Sequence, residues 1–193
     1  SFNCPRLILK SGFITTNNFV DYKKCKSISA IGIDLQSDTE LYSIAGSNNR
    51  MTEIQSIIGI SQLKELNNFI NHRINLSNIY KDALVSLKES DLIRFQDFPK
   101  NVRHPFWKFI VMFNEDVDRE KIKKELNSHG IAVDWPYHPL LHLQPLFKNL
   151  YSIEEGYLIK SERLSKRHIC LPIHKNIQPE DVQFISQRLI ECL

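Results

Sequence analysis

The sequence predicts an α/β fold in which one long helix precedes a small domain of alternating strands and helices. From Thr52 to about Leu87, apolar residues recur at intervals of three and four, which is the pattern of an amphipathic helix. From residue 105 onward, short runs of aromatic and β-branched residues alternate with helical patterns. We therefore expect a long helix followed by a small α/β domain with an antiparallel or mixed sheet.

The residues before the long helix are expected to form a strand, a helix and a loop. Residues 12–16 are β-prone, and the side chains of Asn17 and Asn18 can cap a helix that runs to about Ile28. The stretch 29–45 alternates only weakly amid Gly, Asp and Ser. This pattern indicates a loop with short strand pieces.

The long helix contains a glycine in its interior. At that position Gly59 costs roughly 1 kcal/mol relative to alanine. We therefore expect another helix to pack closely against the backbone at this point.

Three strands and three helices are expected to alternate beyond Pro99. The expected strands are 106–113, 131–135 and 169–172. The expected helices begin after Asp118, near Ser161 and at Pro179, and the first of them ends at Gly130. Prolines at positions 136, 139 and 145 lie in the loop after the second strand, where we expect no regular element.

Composition excludes several classes of partner and compartment. The 25 basic and 22 acidic residues are dispersed along the chain, so the basic stripe of a nucleic-acid-binding protein is missing. No apolar run approaches the ~20 residues that cross a bilayer, and we expect a soluble protein without a membrane partner. The four cysteines are scattered without a CxxC pair, which favours a reduced, cytoplasmic compartment.

Polar side chains lie just before the expected start of the long helix. Asn48 and Arg50 precede Thr52, and the free N–H groups and dipole of a helix N-terminus favour an anion. The donors of these two residues would suit a phosphate group. The alternative is that Asn48 or Thr52 only caps the helix while Arg50 pairs with a surface carboxylate.

Three segments of the chain resemble the DegT/DnrJ/EryC1/StrS sugar aminotransferases. The first contains Gly46-Ser-Asn-Asn-Arg-Met-Thr-Glu-Ile-Gln55 and then Ile58-Gly-Ile-Ser-Gln-Leu63. The second is Pro139-Leu-Leu-His-Leu-Gln-Pro145. The third contains Glu162-Arg-Leu-Ser165 and, after a short interval, Leu171-Pro-Ile173. All three occur in the order that the family has, so the likeness extends over essentially the whole chain.

The resemblance implies the C-terminal portion of a fold type I, pyridoxal-phosphate-dependent aminotransferase. Such enzymes act as homodimers and move an amino group from glutamate onto a keto-sugar linked to a nucleotide. Residues 1–50 would be a remnant of the large cofactor domain, 51–104 the long connecting helix and linker, and 105–193 the small C-terminal domain. Since the chain starts at Ser1, we expect a fragment or processed product that does not bind pyridoxal phosphate by itself.

The family's chemistry needs a lysine that bonds covalently to the cofactor and then transfers a proton. One spacing found in the family places Cys4 at the lysine position, and the more common spacing places Arg6 there after two deleted residues. The nearest amine, Lys10, comes several residues too late. We therefore expect no catalytic residue in this chain, and the alternative function is that of a catalytically inactive homologue with a binding or scaffolding role.

The resemblance also implies two binding regions. Asn48 and Arg50 would be cofactor-binding residues that reach across the homodimer to the partner's phosphate groups. The proline-rich loop would face the nucleotide sugar, and its candidate contact residues are Tyr137, His138, His142 and Gln144. The two histidines could instead form hydrogen bonds within a packed loop or bind a metal ion. We expect no metal, because the pair straddles Pro139 rather than lying on one helix.

The two tryptophans of the sequence could either stack against a cofactor or base or belong to the core. Aromatic residues of strands usually belong to the core. We therefore expect Trp107 and Trp135 to pack inside the protein rather than to stack against a cofactor or base.

Overall fold

The computed structural model describes residues 12, 14–34, 39, 41–135 and 138–193. The chain divides between Glu65 and Leu66 into two compact units. The described residues combine helices with a small antiparallel sheet, so the expected α/β class is confirmed. The division into three parts at residues 50 and 104 stays a prediction.

The first unit begins with a capped helix and a loop that returns to it. Helix α1 spans Phe19–Ser29, and Asn18 Oδ1 accepts hydrogen bonds from the backbone N–H groups of Val20 and Asp21, as predicted. The described part of 12–16 forms no strand, contrary to expectation, because a strand needs a paired neighbour and the described residues supply none. In the described residues between α1 and α2, strand pairing is limited to isolated bridges between Ala30 and Asn48 and between Ile33 and Tyr42.

The long helix is confirmed. Helix α2 spans Glu53–Ala83, and the short helix α3, Val85–Glu89, follows it directly. Apolar side chains in the first part of α2 remain 38–69% exposed, namely Ile54, Ile57, Ile58, Ile60, Leu63 and Leu66. A Cβ atom added at Gly59 would meet nothing within 4 Å. The close helix expected at this glycine is therefore not found among the described residues.

Three antiparallel strands form the sheet of the second unit. They are β1 (Ile93–Phe95), β2 (Phe109–Phe113) and β3 (His168–Leu171), in the order β1-β2-β3. The first strand is not predicted, because three residues are too few to show a period. The expected strand 131–135 is wrong, since its only ladder contact among the described residues is one bridge from Asp134 to Cys170.

Four further α-helices lie in the described part of the second unit. They are α4 (Arg119–Ser128), α5 (Pro145–Tyr151), α6 (Ile159–Ser165) and α7 (Pro179–Glu191). Asp118 caps α4 and Gly130 follows it with a φ of +77°, both as predicted. Helix α5 contradicts the expectation that prolines keep their loop irregular. Pro145 occupies its first position, where a helix needs no backbone N–H.

The core of the second unit brings together the sheet, the second half of α2, and helices α4 and α7. Tyr80 stacks on Phe109 with ring centroids 4.7 Å apart, and its hydroxyl donates to the carbonyl oxygen of Pro172 at 2.9 Å. Burial raises the pKa of the Tyr80 phenol above its ordinary value, with a smaller contribution from Asp181. Thus the C-terminal half of α2 is anchored by apolar contacts and by the hydrogen bond from the Tyr80 hydroxyl to Pro172.

The two tryptophans differ in their surroundings. Trp135 is buried, and the side chains of Arg119 and Lys123 each lie 4.0 Å from its ring centroid. Trp107, in contrast, is 60% exposed, with Lys108 Nζ 4.9 Å from its ring. The prediction that Trp107 packs inside the protein is wrong, because it precedes the first residue of β2 and lies outside the alternation that buries Phe109.

Candidate functional site

The first candidate region is the loop that leads into α2. A close backbone approach holds this loop against the end of α1. A Cβ atom at Gly46 would lie 2.5 Å from the nitrogen of Gly32 and 2.7 Å from the carbonyl oxygen of Ile28, so only glycine fits there. Two residues later, Asn48 pairs with Ala30. Tight backbone contact therefore fixes the position of Asn48.

Helix α2 is capped by Thr52 and not by Asn48. The backbone N–H of Thr52 donates to Gln55 Oε1 at 2.8 Å, and that of Gln55 donates to Thr52 Oγ1 at 3.3 Å. These reciprocal bonds form a capping box. The side chain of Asn48 is therefore not used to cap α2.

Asn48 and Arg50 contact each other on the surface. Arg50 Nε donates to Asn48 Oδ1 at 3.1 Å, and both residues are exposed. Arg50 thus pairs with an amide rather than with the surface carboxylate considered above. Since a guanidinium carries several N–H groups, the pair can offer further donors to an anion in front of α2.

The second candidate region is the loop around residues 138–145, within the second unit. Its Pro139 carbonyl oxygen accepts a hydrogen bond from Gln144 Nε2 at 2.7 Å, and a 3-10 turn spans Leu141–Leu143. His138 is exposed, whereas Tyr137 lies outside the described residues. The side chain of Gln144 therefore links the end of the loop to Pro139, and the side chain of His138 is exposed.

His142 is bound to a glutamate that the sequence did not single out as a site residue. Its Nε2 atom lies 3.0 Å from Glu162 Oε1, and the two side chains are only 11% and 5% exposed. Glu162 also accepts hydrogen bonds from the backbone N–H groups of Gly156, at 2.8 Å, and Leu158, at 3.1 Å. The only sequence signal for Glu162 was its place in the family-like segment 162–165.

The hydrogen bonds at Glu162 determine its charge state. The bond from His142 lowers the pKa of the Glu162 carboxyl, and the two backbone N–H groups lower it further, against the opposing effect of burial. The carboxyl is therefore ionised near neutral pH and can only accept, so the His142 Nε2 atom must carry the proton.

Metal binding finds no support among the described side chains. No group of three or more His, Cys, Asp or Glu residues within these ranges could hold a metal ion.

The positions matched to the family's lysine, Cys4 and Arg6, lie outside the described residues, as does Lys10.

No helix in the described parts of the chain is both long and apolar enough to span a bilayer.

Comparison with known families gives the site its context. A profile of the DegT/DnrJ/EryC1/StrS aminotransferase family matches residues 7–190. The chain belongs to this family. The DegT/DnrJ/EryC1/StrS assignment agrees with the resemblance found in the three sequence segments, and the family is one of pyridoxal-phosphate-dependent aminotransferases.

Relatives within the DegT/DnrJ/EryC1/StrS family include enzymes of sugar metabolism. GDP-perosamine synthase of Escherichia coli is 25% identical over 182 residues, which are 94% of this chain and 47% of that protein. The UDP-4-amino-4,6-dideoxy-N-acetyl-beta-L-altrosamine transaminase of Campylobacter jejuni is 24% identical over 192 residues, or 98% of this chain and 50% of that protein. The chain thus spans about half the length of these relatives.

Solved structures of the family share the fold. Helicobacter pylori PseC, an aminotransferase involved in the biosynthesis of pseudoaminic acid, matches with a TM-score of 0.78 and 22% identity over 92% of this chain and 47% of that one. A family aminotransferase from Brucella abortus matches with a TM-score of 0.76 and 24% identity over 91% of this chain and 44% of that one. The described fold is therefore that of about half an aminotransferase of this family.

The side chains of Asn48 and Arg50 fit the phosphate group of pyridoxal phosphate. Asn48 and Arg50 are exposed donors at the start of a long helix, and this arrangement suits the phosphate of the cofactor. When bound, pyridoxal phosphate supplies the electron sink for amino-group transfer. The fit at Asn48 and Arg50 concerns the phosphate group only.

Proposed function

We propose that this chain serves in amino-group transfer from glutamate to a keto-sugar linked to a nucleotide, as about half of a pyridoxal-phosphate-dependent aminotransferase. The observation that carries the proposal is the family match over residues 7–190, in a chain about half as long as its relatives. By itself this chain does not transaminate. Its contributions are a phosphate-binding half-site and a loop that faces the nucleotide sugar.

The half-site consists of Asn48 and Arg50. Their mutual hydrogen bond keeps both side chains together before α2 while leaving them exposed. In a homodimer they reach the phosphate groups of the partner's site. The backbone pairing of Asn48 with Ala30 supports this role, because a fixed donor loses less entropy on binding an anion.

Replacing Arg50 should weaken binding of pyridoxal phosphate by the full-length protein. With pyridoxal phosphate as the ligand, we expect Arg50→Met to raise the Kd about 10-fold to 100-fold, since a charge-assisted hydrogen bond contributes roughly 1.5–3 kcal/mol. Arg50→Lys should lie between Arg50→Met and the wild type, because a lysine keeps the charge but lacks the planar fork. Isothermal titration calorimetry at low salt measures these affinities.

The control for that experiment is Arg94→Met. Arg94 is another exposed arginine, and it pairs with Asp91 in the second unit. Equal affinities of the Arg50→Met and Arg94→Met variants for pyridoxal phosphate, or no binding of pyridoxal phosphate to the full-length wild type, would contradict the assigned role of Arg50.

The second part of the proposal concerns the loop that faces the sugar. Its candidate contact residues are Tyr137, His138, His142 and Gln144. His138 is exposed and so is placed to contact a ligand directly. His142 and Gln144 each have a partner within the second unit. These two side chains therefore shape the loop, and His138 makes the direct contact.

A second candidate function is that of an inactive homologue that keeps the fold for binding or scaffolding. The observation that favours it is the residue at the lysine position, which is Cys4 in one alignment and Arg6 in the other. Neither a thiol nor a guanidinium can replace an amine in the covalent bond to the cofactor. The two candidates share the fold and differ in whether an amine for the cofactor is present in the whole protein.

Reduction of the bound cofactor distinguishes the two candidates. After incubation with pyridoxal phosphate and borohydride, peptide mass mapping should find no specific cofactor adduct on residues 1–193, Lys10 included. An adduct on a lysine elsewhere in the full-length protein, with amino transfer to a nucleotide keto-sugar, supports the first function. Full-length protein that carries no adduct at all supports the second. An adduct on Lys10 in an active enzyme would overturn the expectation for this chain.

The homodimer of the proposal is held through the region of α2. The exposed apolar residues of its first half are distributed around the whole axis when each residue turns the helix by about 100°, and they are Ile54, Ile57, Ile58, Ile60, Leu63 and Leu66. A helix that is apolar all round is normally enclosed by other structure. A second copy of the chain can supply part of this cover.

A further inference from the structure

A buried carboxylate links two loops of the second unit. Glu162 lies in the first turn of α6, and its side chain is only 5% exposed. Its Oε1 atom is shared by His142 and the backbone N–H of Leu158, while its Oε2 atom accepts from the backbone N–H of Gly156. One side chain therefore ties the segment before α6 to a loop 20 residues earlier in the chain.

Glu162 does not need the hydrogen bond to His142 in order to cap the start of α6. The N–H groups of Gly156 and Leu158 already provide donors for the carboxylate from the segment that enters α6. The third donor, His142, belongs to the turn Leu141–Leu143, whose own backbone bonds run from Leu143 to Leu140 and from Gln144 to Leu141. A charged acceptor strengthens such a bond roughly twofold over a neutral one.

We propose that Glu162 is the positioning residue of the 138–144 loop, which it holds through His142 in the shape that presents His138. The part of this inference that concerns a ligand rests on the proposed function. The part that concerns the ordering of the loop by Glu162 does not depend on the proposed function. His142 is accordingly an internal anchor of the loop, and His138 is the histidine that faces the ligand.

A structural cap and a positioning residue predict different patterns of hydrogen exchange. If Glu162 only caps the entry to α6, its replacement frees the amides of Gly156 and Leu158 and leaves the earlier loop unchanged. If Glu162 positions the loop, the amides of Leu143 and Gln144 are also released, because the turn loses its anchor. These two amides are hydrogen-bonded at 2.8 and 3.1 Å, so their protection is measurable.

The test compares Glu162→Gln and His142→Asn with the wild type by hydrogen exchange and NMR. We expect exchange at Leu143 and Gln144 to be at least about tenfold faster in both variants, which equals a loss of roughly 1.4 kcal/mol in local stability. In Glu162→Gln, the ring ¹⁵N resonances of His142 should also shift, because the acceptor of its Nε2 proton is no longer charged. The matched control is Glu155→Gln, which removes an exposed glutamate paired with Lys166.

The His142→Asn variant keeps the proposal testable if Glu162→Gln fails to fold, because Glu162 then retains both backbone bonds. Faster exchange at Leu143 and Gln144, with Gly156 and Leu158 still protected in His142→Asn, supports the assignment whatever the affinity for nucleotide sugars. Wild-type exchange at Leu143 and Gln144 in the variants that fold overturns it. Failure of GDP-mannose and UDP-N-acetylglucosamine to bind the wild type would count against the proposed function alone.

Discussion

Replacing Gly46 with alanine is expected to unfold the loop that carries Asn48. The added Cβ atom would lie 2.5 Å from the nitrogen of Gly32 and 2.7 Å from the carbonyl oxygen of Ile28. Both are backbone atoms and cannot rotate away. Overpacking of flexible side chains costs about 1–3 kcal/mol, so we expect at least about 3 kcal/mol here, lost from the first unit.

Hydrogen exchange at Ser47 measures this effect directly. Its backbone N–H donates to the same Ile28 oxygen at 3.0 Å and should lose its protection in the Gly46→Ala variant. The control is Gly59→Ala, since a Cβ atom there meets nothing within 4 Å and alanine favours a helix interior by roughly 1 kcal/mol. Unchanged protection of Ser47 in Gly46→Ala would show that the loop can shift at little cost.

Introducing a charge at Ile57 is expected to separate the proposed homodimer. The Ile57 side chain is 67% exposed in the first half of α2, a region whose apolar residues lie on all sides of the helix. If a second copy covers this region, Ile57→Glu buries an unpaired carboxylate in the interface. We expect the dissociation constant of the dimer to rise about 100-fold or more, which corresponds to roughly 2.8 kcal/mol.

Sedimentation velocity over a range of concentrations provides the measurement. Ile57→Leu is the matched control, because it keeps the side chain apolar and of similar volume, and it should dimerise like the wild type. A wild-type chain that stays monomeric throughout the micromolar range would refute a dimer through α2. So would an Ile57→Glu variant that associates as tightly as Ile57→Leu.

Helix boundaries were predictable because they depend on neighbouring residues. The oxygens of Asn18 and Asp118 cap the helices that follow them, and Gly130 takes the positive φ that ends α4. Pro145 shows that the effect of a proline on a helix depends on its position in that helix. As an interior residue it would break a helix, yet as the first residue it begins α5.

Sequence alone therefore determined the long helix, the caps and the family motifs, since periodicity and local hydrogen bonding are properties of nearby residues. Only the tertiary structure decided that β1 pairs with β2, that residues 131–135 form a single bridge, and that Glu162 binds His142. Each of these contacts joins segments that are distant along the chain. Their geometry depends on how the whole unit packs, which no local pattern records.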